Sequence, residues 1–169
     1  MQAAAAKHSL NYLLLRSIAE QESHFNPVAV GGNTNGSSDF GLMQINSTWL
    51  PTLRKYGVSQ QDLFNPCINA DVGAWILADN FKRMGVTWDA VGAYNASTPW
   101  KRVKYATGVY NKLVRHVNTS KQGANSTPYV TAAPTQNYAA TASMVTGQSQ
   151  VGAADTQPDR QIASYEVQP

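Results

Sequence analysis

Residues 1 to 117 hold seven carboxylates, Glu20, Glu22, Asp39, Asp62, Asp71, Asp79 and Asp89. Glu22 is the one placed to do chemistry. Leu10, Leu14 and Ile18 fall four residues apart, on one face of a helix, and the next position on that stripe is Glu22. Pro27 blocks continuation soon afterwards, so a carboxyl ends an apolar stripe at the end of a helix. Burial there penalises the anion. The negative end of the helix dipole adds a weaker push in the same direction. A carboxyl kept neutral near neutral pH can donate a proton in a cleft. The plainer reading is a helix-end Glu that bends out to water, as most Glu residues do. Glu20, two residues away, points nearly to the opposite side of the helix. Asp62, Asp71, Asp79 and Asp89 lie on or beside helices with ordinary polar faces. Asp39 sits in a turn-rich stretch, and its plainer reading is an Asp capping the turn before Gly41.

The elements that must position these acids are mostly helical. Ala3 to about His24, rich in Ala and Leu, reads as one helix. Asn26 to Phe40 reads as an irregular loop and short hairpin, with Gly31-Gly32-Asn33 and Asn35-Gly36 supplying positive-φ turn residues. Val28, Val30 and Phe40 are the only clear strand formers there, so any sheet must be small. Leu42 to about Tyr56 reads as a turn and then a helix, with Ser47 as N-cap, Pro51 in the first turn and Gly57 as the stop. Ser59 to Phe64 suits one helical turn. Asn65-Pro66 starts a helix whose stripe is Ile68, Val72, Trp75 and Ile76, and Gly85 ends it. Thr87 caps a short helix to Tyr94. Thr98-Pro99 opens the last helix, along which Val103, Ala106, Tyr110, Leu113 and Val117 keep helical spacing. The pattern predicts a mainly α (α+β) fold with a small β-hairpin lobe.

The 169 residues suffice for one domain with a core. Residues 1 to 117 carry 11 Lys and Arg against 7 Asp and Glu, and residues 118 to 169 carry 2 against 3. The second stretch has no Leu, Phe or Trp and cannot bury enough apolar area to offset its ordering entropy. It reads as a disordered Ala/Ser/Thr/Gln/Pro-rich tail, with Tyr129, Tyr138 and Tyr165 as its few aromatic points. A mildly basic domain suits an anionic polymer. No nucleic-acid-binding module is recognisable, and Lys101-Arg102-Lys104 reads as a solvated helix face. No stretch is long and apolar enough to span a membrane, and the residues before the first helix do not read as a leader peptide, which is expected to have been removed. Cys67 is the only cysteine, so it has no partner in this chain; one reading of it is a buried, inert thiol. His8, His24 and His116 form no ligand cluster with it, and neither a metal nor a nucleotide motif is present, so no cofactor is expected.

Three groups of residues carry a family resemblance: Glu22-Ser23, then Gly41-Leu42-Met43-Gln44-Ile45-Asn46, then Ala93-Tyr94-Asn95. They resemble the three motifs of lysozyme-like lytic transglycosylases, especially the small specialised members of bacterial secretion, conjugation and type IV pilus machines. The resemblance runs from about Ala3 to Val117. Within it, Asn33 to Gly41, Gln44 to Ser47 and Trp49 are similar to the active-site hairpin of animal c-type lysozymes, where an Asp follows the acid Glu at the separation of Asp39 from Glu22.

The resemblance implies a lysozyme-like fold and cleavage of the MurNAc–GlcNAc β-1,4 bond of peptidoglycan, with Glu22 as acid and then base and Asp39 as a second carboxylate. Ser23 would bond near the Glu22 carboxyl or the substrate, and Gly41 would let the backbone approach the sugar. Met43 and Gln44 would follow it at the N-acetyl groups. Tyr94 would bring its hydroxyl near Glu22, Asn95 would bond substrate or hairpin, and Tyr105 would be the last tyrosine lining the cleft. Ser97 stands where the family usually has Gly. Related proteins often pair a cysteine at the Cys67 site with one before the first helix, which is absent here. The resemblance also implies an exported, periplasmic protein serving an envelope-spanning apparatus. A lysozyme-type hydrolase, with Asp39 assisting water, and a wall-binding scaffold module are the alternatives.

Overall fold

The chain breaks its first helix within eight residues. The computed structural model describes residues 1–122. Where one helix is expected from Ala3 to His24, there are two, α1 (Gln2–Lys7) and α2 (Tyr12–Ser23). Ser9 takes φ +54°. Its N–H bonds to the Ala6 carbonyl at 3.2 Å and that of Leu10 to the Ala5 carbonyl at 2.8 Å, the paired bonds of a left-handed helix stop. Glycine usually marks such a stop, and a serine hides it. Asn11 then restarts the helix, its side-chain oxygen accepting from the Leu14 N–H at 3.1 Å.

The break lets α1 dock on the central helix α4 (Pro66–Met84). Lys7 Nζ lies 3.0 Å from Asp71 Oδ2, and His8 Nε2 lies 3.0 Å from Asp71 Oδ1. Asp71 is therefore buried inside this tie and does not occupy a polar helix face. Burial alone would raise its pKa; the bonds and charges of His8 and Lys7 outweigh that and hold it below the usual 3.8.

Helix α4 starts where Asn65-Pro66 predicts, with the Asn65 side chain accepting from the N–H groups of Cys67 and Ile68. Every residue from Asn69 to Leu77 is buried. Around it stand α3 (Leu50–Arg54), α5 (Trp88–Gly92), capped by Thr87, and α6 (Pro99–Gln122). Helix α6 runs along α2. Arg115 reaches Glu20 at 2.8 Å, His116 reaches its other oxygen at 2.8 Å, and Lys112 bonds Gln21 at 2.7 Å. Leu14, Leu15, Ile18, Leu53, Leu77, Val91 and Val109 fill the space between these helices. Residues 118 to 122, placed in the tail by composition, continue α6; the rest of that stretch lies outside the described residues. Cys67 is exposed in the first turn of α4, which removes the buried-thiol reading.

The β lobe is small, as the few strand formers imply. Strands β1 (Val30–Gly32), β2 (Ser38–Phe40) and β3 (Ile45–Asn46) form one antiparallel sheet in that order. Gly31 and Gly32 pair inside β1; the tight turn is made at Gly36, φ +82°. β3 occupies part of the stretch read as a turn. Its Asn46, and not Ser47, caps the following 3-10 turn by accepting from the Thr48 N–H at 3.0 Å. The Ser47 hydroxyl instead accepts from the Ser38 N–H at 3.1 Å.

Replacing Asp71 with Ala would strand the buried His8 and free α1 from α4. The expected loss is about 3 kcal/mol, in the range for removing one partner of a buried pair. Because the folded pKa lies below the unfolded value near 3.8, the carboxylate stabilises the fold above that pH, and the contribution fades as pH falls through the folded value. Thermal melts from pH 6 to pH 2 should show a gap between wild type and variant that closes only at the acid end.

Candidate active site

Glu22 occupies the last turn of α2, with its carboxyl turned between helix and sheet. Tyr105, from α6, donates its hydroxyl to Glu22 Oε1. Burial is the largest influence on the carboxyl and raises its pKa. The Tyr105 hydrogen bond opposes this, and the negative charge of Asp39 adds to it. The net result is a carboxyl pushed up to about 7, from an ordinary 4.5. Glu22 is thus poised to give and take a proton near neutral pH. Tyr105 and Tyr94 stack with ring centroids 6.5 Å apart. Burial, and then Glu22 itself, push both phenols well above 10, so both hydroxyls stay protonated.

Beside Glu22 lies a buried turn, Gly41 to Gln44, whose backbone polar groups are matched mainly by side chains. Ser23 donates to the Leu42 carbonyl at 2.7 Å. Tyr94 donates to the Met43 carbonyl at 3.0 Å. Asn69, fully buried on α4, accepts from the Met43 N–H at 2.6 Å and donates to the carbonyls of Phe40 and Leu63, each at 2.8 Å. Gln44, at φ +49°, folds its amide back to donate to the Gly41 carbonyl at 2.9 Å and the Ala29 carbonyl at 3.3 Å. A Cβ on Gly41, φ +75°, would come within 2.2 Å of the Leu63 carbonyl and 2.4 Å of the Asn69 amide. The glycine therefore serves close approach to the protein's own core.

Asp39 is the middle residue of the central strand, opposite Gly31 on one side and Asn46 on the other. Asn33 donates to its Oδ2 at 2.7 Å and Asn46 to its Oδ1 at 2.7 Å. Both oxygens are held from the hairpin, so Asp39 caps no turn. It faces the same cleft as Glu22, Gln44, Trp49, Tyr94 and Asn95. The arrangement offers a proton donor, a fixed negative charge and amide groups around one cavity, which suits cleavage of a bond through a cationic centre.

Not every expected contact is made. Glu22, Asp39, Gln44, Tyr94 and Asn95 do converge, and Tyr105 bonds Glu22. Ser23 is spent on the turn. The Met43 side chain is fully buried core and only its backbone serves the site. The Tyr94 hydroxyl lies near enough to Glu22 to feel its charge but bonds the Met43 carbonyl, while the bond to the carboxyl itself comes from Tyr105. Asn33, Asn46 and Asn69 were not singled out. A signal existed for the first two, since a carboxylate fixed in a cleft needs donors and the hairpin supplies two asparagines. Asn69 lies in an ordinary helical stripe and carried none. Arg102 is not part of a solvated run. It pairs with Asp89 at 3.0 Å and donates to the Ala96 carbonyl at 3.0 Å, clamping the loop that contains Ser97.

A mainly helical body, a three-stranded lobe and a raised-pKa Glu on the helix between them define the lysozyme-like class of fold. Residues 1–105 match the transglycosylase SLT domain, and the chain belongs to that family. It is 53% identical over 90 residues to the invasion protein IagB of Salmonella typhimurium, across 53% of this chain and 56% of IagB. It is 41% identical over 124 residues to protein IpgF of Shigella flexneri, across 70% of this chain and 82% of that one. It is 39% identical over 115 residues to the X polypeptide of Escherichia coli, across 64% and 68% respectively. The chain thus spans little more than half the length of IagB.

Two outcomes follow from the geometry. Carboxyl carbon NMR should find Glu22 titrating near pH 7, as its raised pKa requires. Tyr105→Phe removes a bond to the anion and should move that titration to higher pH; Asp39→Asn removes a like charge and should move it lower. Asn69→Ala leaves one N–H and two carbonyls unmatched and should cost about 3 kcal/mol or more in urea unfolding.

Proposed function

We propose that the protein is a peptidoglycan lytic transglycosylase that cuts the MurNAc–GlcNAc β-1,4 bond and leaves a 1,6-anhydroMurNAc end. The observation that carries this reading is the Glu22 carboxyl held near pH 7 in a cleft that also contains Asp39. Protonated Glu22 gives its proton to the glycosidic oxygen, the C1–O bond breaks, and the GlcNAc-bearing fragment leaves with a hydroxyl. The fixed charge of Asp39 steadies the oxocarbenium-like C1. Glu22, now a carboxylate, takes the proton of the MurNAc 6-hydroxyl as that oxygen closes on C1. The acid is regenerated and no water is consumed. Tyr105 then has a double part: its hydrogen bond stabilises the anion formed midway and keeps the group from being too weak an acid to start.

The same cleft supports a second reading, a lysozyme-type hydrolase, because Asp39 could help a water to attack C1. A wall-binding scaffold module is the reading outside enzymology. Membership of the SLT family supports a wall substrate. Relationship to a protein named for invasion supports periplasmic work in which local wall opening makes room for a secretion, conjugation or pilus apparatus. No described helix is long and apolar enough to cross a membrane.

Mass spectrometry of digested sacculi is the deciding measurement. Anhydro-muropeptides are expected; reducing ends alone would make the protein a hydrolase, and wall binding without cleavage would make it a scaffold. Glu22→Gln should lower the rate by about 10²–10⁴-fold, the usual worth of a general acid. Asp39→Asn should lower it by roughly 10-fold and shift the alkaline limb to lower pH. An Asn there also turns its own amide toward one of the two asparagine donors, so the limb is the cleaner readout.

A further inference from the structure

The charges beyond α6 are gathered in one place. Residues 123 to 154 contain no Asp, Glu, Lys, Arg or His. Asp155, Asp159 and Glu166 then fall within twelve residues, opposed only by Arg160 and accompanied by Ile162 and Tyr165. A long uncharged stretch leading to an acidic, partly apolar one has the composition of a tether that carries a docking segment.

The folded part offers a surface of the opposite charge. Helix α6 contains no acidic residue from Pro99 to Gln122. Of its cations, Arg102 is neutralised by Asp89 and Arg115 by Glu20, and Lys112 spends its ammonium on the Gln21 side-chain oxygen. Lys101 and Lys104 pair with no carboxylate among the described residues. They line a groove of about 480 Å³ with Trp100 and Tyr105, and no acidic side chain shares it. Trp100 is 63% exposed. With the Lys101 Nζ standing 5.6 Å from its ring centroid, it sets an apolar surface beside a positive charge. The groove meets the cleft of Glu22 at Asn95, which lines both.

We propose that the chain's own segment from Asp155 to Glu166 docks in this groove and, by closing the end of the cleft at Asn95, restrains cleavage. Its carboxylates would pair with Lys101 and Lys104, and Ile162 and Tyr165 would cover Trp100. The reach is suitable. Lys104 lies 18 residues before Gln122, roughly 27 Å back along the helix at about 1.5 Å per residue. Asp155 lies 33 residues beyond Gln122, and a flexible chain of that length spans roughly 32 Å root-mean-square. Effective concentration is greatest when tether and span match, so a contact of ~1 mM affinity, weak between separate molecules, would be made about half the time or more. The docking stands on charge and reach alone; the restraint rests on the glycan-cleaving reading.

The test is carbodiimide coupling of the full chain at low salt, which joins a carboxylate to an ammonium only where the two touch. Mass spectrometry should find Asp155, Asp159 or Glu166 joined to Lys101 or Lys104. The yield should fall as salt screens the pairing, and the links should stay within one molecule when isotope-labelled and unlabelled protein are mixed. Asp155→Asn, Asp159→Asn and Glu166→Gln together should raise the rate of wall cutting at low salt by about twofold or more, with no gain at high salt. Coupling spread evenly over Lys55, Lys82 and Lys121 as well, coupling only between molecules, or no coupling at all overturns the docking. Coupling at the groove with an unchanged cutting rate overturns the restraint. Failure of the glycan reading shows separately: a protein that couples at the groove but cuts no wall in either form keeps the docking and loses the transglycosylase, and the restraint with it.

Discussion

The turn from Gly41 to Gln44 is the constraint on which the rest depends. Its first three residues are buried, yet it is neither helix nor strand, so its polar backbone cannot be satisfied by a regular ladder. Side chains from four places supply most of the partners: Ser23 from the end of α2, Asn69 from the middle of α4, Tyr94 from the loop after α5, and Gln44 from the turn itself. Each bond that saves the turn from an unmet polar group also fixes the distance between two elements. Helix α2 with Glu22, the central helix and the β lobe are thereby held in one frame. Three of the four tying residues belong to the sequence motifs, and their work here is architectural.

Within that frame, the acidity of Glu22 is a balance among three neighbours. Burial and Asp39 push the pKa up, and Tyr105 pulls it down. Removing the first two would leave an ordinary carboxylate, ionised and useless as a donor at neutral pH; removing the third would leave an acid too weak to release its proton readily. The arrangement costs stability. An acid whose folded pKa is raised opposes folding as pH climbs above its unfolded value, so the fold must hold Glu22 in place against its tendency to ionise in water. The tie of Lys7 and His8 to Asp71 works with the opposite sign on the far side of α4, where an ionised carboxylate anchors α1.

The asparagines show how the β lobe and the chemistry are linked. Asp39 stands between Gly31 and Asn46 in the sheet, and Asn33 and Asn46 occupy its two oxygens. A carboxylate so held keeps its position facing the cleft, and no cation pairs with it among the described residues. Gly31 helps, because a Cβ there would meet the Gln44 side-chain oxygen at 2.9 Å. The small sheet is therefore less a scaffold than a holder for one charge.

Much of the protein was legible in its sequence, for local reasons. The stripe from Leu14 through Ile18 to Glu22 on α2, the Asn65-Pro66 start, the Gly57 and Gly85 stops and the Thr87 cap follow from spacing and backbone preference, which the chain carries with it; Leu10 falls in the break before α2. The expectation that Glu22 and Asp39 share one cleft came from the sequence too, because their flanking residues are distinctive in type. Tertiary structure decided the rest. The break at Ser9 is a left-handed stop without glycine, made worthwhile only when Asp71 receives Lys7 and His8 from another part of the chain. The division of bonds by which Tyr105 holds Glu22 and Tyr94 holds Met43, the loss of Ser23 and the Met43 side chain to the frame, and the pairing of Arg102 with Asp89 turn on distances between segments far apart in sequence. A side chain's type states which bonds it can make; only the packed fold sets which partner comes within reach and which is left for the substrate.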